Sequence, residues 1–104
     1  MENKYFDKSY GLPSVALTSS PVVVCTTGGY YHGIAFIAGS TSSSEIIIYD
    51  NASTASGEII DTLLVDTGKN VWIDRYIPVV AKNGIYVTIT GTGFKGALYY
   101  SPKG

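Results

Sequence analysis

The sequence predicts an all-β fold, an antiparallel β-sandwich or jelly roll of about eight strands. Ile and Val far outnumber Leu, and Tyr and Thr are abundant. These side chains lose rotamer freedom in a helix and suit a pleated, half-buried surface. No stretch keeps apolar residues at helical spacing over several turns. Short apolar runs recur instead, with Gly, Asn, Asp, Ser and Pro between them. A barrel closed on itself is the alternative architecture.

Taken in order, residues 15–18 form a weak first strand, and Pro21 separates it from a second over 22–27. Gly28-Gly29 tolerates positive φ and reads as a two-residue turn, so 22–27 and 30–38 form a hairpin. A polar loop over 39–44 leads to a strand over 45–50, with Ile46 and Ile48 on one face and Ile47 and Tyr49 on the other. The Asn-, Ser- and Gly-rich turn 51–57 precedes a strand over 58–65, and Asp66-Thr67-Gly68-Lys69-Asn70 is the next turn. Residues 71–77 form a strand that Pro78 ends or confines to an edge. Residues 79–82 and 85–90 flank Asn83-Gly84, the strongest short hairpin signal in the chain. Ile85, Val87 and Ile89 alternate with Tyr86, Thr88 and Thr90, an inside–outside pattern. The glycine-rich loop 91–96 leads into a last strand over 97–101. Residues 15–104 therefore read as one domain, without repeats or an internal linker.

Residues 1–14 differ from the rest. They mix Lys4, Asp7 and Lys8 with Tyr5, Phe6 and Tyr10 and show no alternation. They read as an extended arm with aromatic anchors, which docks on a neighbouring chain or covers the domain's own sheet edge.

Composition narrows the function. Hydrophobic residues are 45% of the chain and charged residues only 14%, so much of the surface is Ser, Thr, Tyr and Gly, or is covered by another protein. The net charge of −1 comes from basic and acidic residues spread along the sequence, which leaves no stripe to bind a phosphate backbone. The longest apolar runs, 22–25 and 33–38, are too short to span a bilayer. The polar start Met1-Glu2-Asn3-Lys4 does not resemble a signal peptide, so synthesis in a cytoplasm is expected. A single cysteine, Cys25, leaves no internal disulfide.

Few residues offer chemistry. Gly91-Thr92-Gly93-Phe94-Lys95-Gly96 spells the dinucleotide fingerprint G-x-G-x-x-G, but that loop works by opening a helix, and here it runs into strand-like Ala97-Leu98-Tyr99-Tyr100. If Gly28-Gly29 closes a hairpin, Cys25 lies opposite His32, the minimum equipment of a cysteine nucleophile. Nothing in the sequence supplies an orienting residue or an oxyanion site, and a small buried thiol beside a self-satisfied histidine is the simpler reading. A metal site would need Asp50 or Asp74 to converge on this pair. Asp61, Asp66 and Asp74 offer a carboxylate pair of the glycosidase kind only if a deep cleft holds them. Asn51-Ala52-Ser53 is read as a polar turn. No enzymatic activity and no cofactor are expected.

The strongest chemical feature is the set of nine tyrosines with one tryptophan. Paired aromatics on a strand place one ring on each face, so some must point outward, where they suit protein interfaces or stacking on sugar rings. The candidate interface residues are Tyr5, Phe6, Tyr10, Tyr30, Tyr31, Trp72, Tyr76, Tyr99 and Tyr100. Cross-strand packing accounts for the others.

Four segments share a further likeness: Tyr31-His32-Gly33-Ile34, Ile46-Ile47-Ile48-Tyr49-Asp50-Asn51, Ala55-Ser56-Gly57-Glu58-Ile59-Ile60, and Asn83-Gly84-Ile85-Tyr86-Val87-Thr88-Ile89-Thr90-Gly91-Thr92-Gly93. In this order and spacing the chain, over residues 22–100, resembles small all-β virion structural proteins of tailed phages. The resemblance implies a sandwich or jelly-roll fold, no catalytic residues, and a structural role as a capsid decoration (cement) protein or a small head or tail component. Cement proteins of this kind sit as homotrimers over junctions of the major capsid protein and hold the shell against internal pressure. The expected partners are the chain itself and the major capsid protein or another virion protein, with neither nucleic acid nor membrane. The expected location is the virion, after synthesis in the host cytoplasm. The alternative function is a carbohydrate- or receptor-binding module of a tail or head fibre.

Overall fold

The computed structural model describes residues 13–102. Eight strands form the chain: β1 (Ser14–Ala16), β2 (Val22–Cys25), β3 (Gly29–Ile37), β4 (Ser44–Asp50), β5 (Glu58–Val65), β6 (Asn70–Ala81), β7 (Ile85–Ile89) and β8 (Lys95–Pro102). None of the described residues is helical, so none forms a helix long and apolar enough to cross a membrane. The strands make two antiparallel four-stranded sheets, here called sheet A, in the order β1-β8-β3-β6, and sheet B, in the order β2-β7-β4-β5.

This order is that of a jelly roll. The antiparallel pairs β1·β8, β2·β7, β3·β6 and β4·β5 are those of one long ribbon folded at the β4–β5 turn. Rolling the ribbon deals successive pairs to alternate sheets and brings β8 beside β3 and β7 beside β4. Consecutive strands pair only once among the described residues, at β4–β5. Asn51 shapes that turn: its Oδ1 accepts the Ser53 and Thr54 N–H groups at 2.9 and 3.0 Å.

Two expected hairpins are overturned by this topology. The expected two-residue turn at Gly28-Gly29 does not form: residues 26–28 link β2 to β3, Gly29 opens β3, and neither glycine has a positive φ. Strand β2 pairs with β7, and β3 with β6 and β8. Asn83-Gly84 likewise links β6 in sheet A to β7 in sheet B. Turn chemistry is local and permits a sharp reversal wherever φ allows one. Whether the flanking strands then pair is decided by long-range packing. The second corner is pinned by Asp50 at the end of β4, whose carboxylate accepts the Lys82 and Asn83 N–H groups at 3.0 and 2.7 Å. Gly84 is required there, because a Cβ would stand 2.7 Å from the Cys25 carbonyl oxygen and 2.8 Å from Ala52 Cα.

The core lies between the sheets and follows the period-2 alternation. Ile46 and Ile48, Ile85, Val87 and Ile89, Leu63 and Val65, and Ile34, Phe36 and Leu98 are buried. Full burial of each such side chain is worth about 1.5–3 kcal/mol, and here no disulfide supplements it. Phe36 stacks on Phe94 with ring centroids 5.6 Å apart, which seals the end of the sandwich beside the 91–94 loop.

Candidate interaction surface

Strand β6 is the edge of sheet A, as one reading of Pro78 expected, and it runs on through Pro78 to Ala81, joining the two segments 71–77 and 79–82. It tolerates the proline by leaving the ladder. Tyr31 pairs with Val79 and Gly33 with Asp74, so residues 75–78 bulge out opposite His32 alone. Tyr76 is 95% and Ile77 79% exposed at this bulge.

The base of the bulge is fixed. Arg75 donates through Nε to Asp61 Oδ2 at 3.2 Å and through Nη2 to both carboxylate oxygens at 2.9 Å. Asp61 lies on β5 of sheet B and is buried at the phase of Leu63 and Val65, so the pair ties the two sheets together along one edge. The same carboxylate accepts the Tyr31 hydroxyl at 3.0 Å and its neighbour's amide, Thr62 N–H, also at 3.0 Å. A buried charge held by four donors is compensated. Burial, with the Asp61 charge and hydrogen bond, drives the Tyr31 phenol far above its ordinary pKa, so it stays a neutral donor. The hydrogen bond and charge of Asp61 raise Arg75 as well, although its side chain is 42% exposed.

Among the expected interface residues, Tyr5, Phe6 and Tyr10 lie outside the described residues. Trp72 and Tyr76 are exposed on β6. Tyr30 and Tyr99 are half-buried on the outer face of sheet A, in register with Val80 and with Asp74 respectively through β3. Tyr31 is a correction: it is wholly buried and belongs to the core. Tyr100 pairs with Tyr31 and packs against the same core. The paired-aromatic rule accounts for both, since Tyr31 and Tyr100 are the inward members of Tyr30-Tyr31 and Tyr99-Tyr100. Sequence reasoning missed Ile77, Leu64 and Ile59, which are 79%, 72% and 52% exposed, and it missed the Arg75–Asp61 anchor.

The thiol–imidazole pair does not form. Cys25 ends β2 in sheet B and donates to the Thr27 carbonyl at 3.1 Å, while His32 in sheet A meets Ser101 Oγ through Nε2 at 2.8 Å. Burial, with some help from Asp50 and against backbone hydrogen bonds, pushes the Cys25 thiol above its ordinary pKa. A catalytic thiol needs the opposite shift. The G-x-G-x-x-G segment passes directly into β8, and Gly91 and Gly93 serve turns at φ 92° and 72°. Asp61 is spent on Arg75, and no three His, Cys, Asp or Glu side chains gather as metal ligands among the described residues.

A second feature lies on the outer face of sheet A. A shallow groove of about 360 Å³ runs over β6, β3 and β8, bordered by Trp72, Asn70 and Lys95. Comparison of the chain with protein-family models, with curated proteins and with solved structures finds no match.

Proposed function

We propose that the chain is a structural subunit of a phage particle, a capsid decoration protein that self-associates as a homotrimer and docks on the major capsid protein. It acts by packing and has no catalytic role in this reading. Its location is then the virion, after synthesis in the host cytoplasm.

The observation that carries the proposal is the anchored bulge. Monomeric proteins rarely leave consecutive large apolar side chains in water, and Tyr76 and Ile77 are 95% and 79% exposed beside an arginine clamped to a buried carboxylate. Aromatic residues presented on a rigid support are the usual centre of an interface. Other exposed large apolar side chains lie on the two neighbouring edge strands, with Ile59 and Leu64 on β5 and Val80 on β6. An edge repeated around a symmetry axis would bury them together. The jelly roll is compatible with this role, since shell-forming domains use it, although a fold alone fixes no function. The phage context comes from the resemblance of the four segments.

The test is binding to expanded, DNA-free capsids built from the major capsid protein of the same genome. The chain binds them in stoichiometric amount and raises their melting temperature, and Tyr76→Ser with Ile77→Ser abolishes both effects. A chain that leaves the capsids unbound and their melting unchanged contradicts the docking role.

A further inference from the structure

The groove on sheet A has a construction that assembly through the bulge does not use. The register places Trp72, Ala35 and Ala97 in one row across β6, β3 and β8, and Asn70, Ile37 and Lys95 in the next. Ala35 and Ala97 therefore line the groove in the row of Trp72, and the next row carries the Asn70 amide and the Lys95 ammonium on either side of Ile37. Trp72 is 74% exposed and forms the wall. Lys95 has no ion-pair partner among the described residues. Beyond Trp72 in the other direction, the row Asp74–Gly33–Tyr99 adds an exposed carboxylate.

We propose that this groove binds a uronic acid residue of an acidic polysaccharide, with the sugar ring on Trp72 and its carboxylate toward Lys95. A pyranose offers an apolar C–H face to an indole and turns its hydroxyls outward. Trp72 on β6 and Lys95 on β8 lie two strands and one row apart, about 12 Å between Cα atoms. A pyranose ring with its exocyclic carboxylate and the long lysine stem together cover that span. Asp74 accepts hydroxyl hydrogen bonds, as a polyol needs, and repels a carboxylate, which orients the ring with its acid at the lysine end. The charge pattern disfavours a nucleotide, because a doubly charged phosphate would be opposed by Asp74 with a single groove lysine to hold it.

The chain contains one tryptophan, so its fluorescence reports on this groove alone. Titration of the full chain with trigalacturonate gives a saturable blue shift, and maltotriose binds at least about fivefold more weakly. Lys95→Gln, which keeps the reporter, removes that preference. The Tyr76→Ser, Ile77→Ser variant retains the shift, so failure of the assembly reading and failure of this one are distinguishable. A flat titration to millimolar trigalacturonate overturns the proposal. So does an equal response to maltotriose, a preference that survives Lys95→Gln in a chain with unchanged circular dichroism, or saturation by adenosine monophosphate instead.

Discussion

Arg75 and Asp61 join the two sheets of the sandwich at one edge, with Nη2 2.9 Å from each carboxylate oxygen. The arginine stands on the bulge of β6 and the aspartate on the inward phase of β5, so the contact that closes the sandwich also holds Tyr76 and Ile77 in place.

Removing the members of this cluster has graded effects. Tyr31→Phe takes a buried donor from a charged acceptor and costs about 1.5–3 kcal/mol. Arg75→Gln costs about 1 kcal/mol, because its guanidinium is 42% exposed and solvent screens what it loses. Asp61→Ala leaves the Tyr31 hydroxyl buried without a partner and costs the most, about 3 kcal/mol or more. Urea unfolding measures each. The double variant of Tyr31 and Arg75 costs less than the sum, since both act on one carboxylate.

Asp50 makes stability depend on acid. Burial works to raise its pKa, but the N–H groups of Asn83, Lys82 and Gly84 and the Lys82 charge outweigh burial and hold it below the usual carboxylate range. The folded chain therefore binds this proton less tightly than the unfolded chain does. The stabilisation is fully present above the unfolded value of about 3.9 and is lost as pH falls through the lower folded value. Asp50→Asn is expected to destabilise by about 1–2 kcal/mol at neutral pH. Thermal melts at successive pH values should show that gap closing below about pH 4.

Cys25 is expected to be a sluggish nucleophile. The thiolate is the reactive form, and burial raises this thiol's pKa. Labelling by iodoacetamide at neutral pH proceeds several-fold more slowly than that of glutathione. Rapid stoichiometric labelling would restore a chemical role for the residue.

The strand pattern was legible because burial here alternates with period 2, and β5 matches its expected span of 58–65. The pairing was not. Asn83-Gly84 carries the chemistry of a tight turn, and the rolled ribbon uses it to cross between sheets, whereas Gly29 is already part of β3. The candidate surface was half legible. Pro78 marked β6 as an edge, and Trp72 and Tyr76 were singled out, but the excursion of 75–78 depends on the register against β3. Asp61 falls at the inward phase of Leu63 and Val65, a sign that a buried carboxylate needs a partner. The bulge at Ile60, where Ile48 pairs with Asp61 and Tyr49 with Ile59, leaves Ile59 exposed two residues before Asp61, so the start of β5 does not follow the phase of its end.

Self-association through the anchored bulge is read by sedimentation velocity of the full chain over a range of concentrations. A species near three times the 11.1 kDa chain mass is predicted. Tyr76→Ser with Ile77→Ser should reduce it to the single chain while leaving the far-UV circular dichroism unchanged. A wild-type chain that sediments as a monomer at every concentration, or a double variant that stays assembled, would rule out the bulge as the self-association surface.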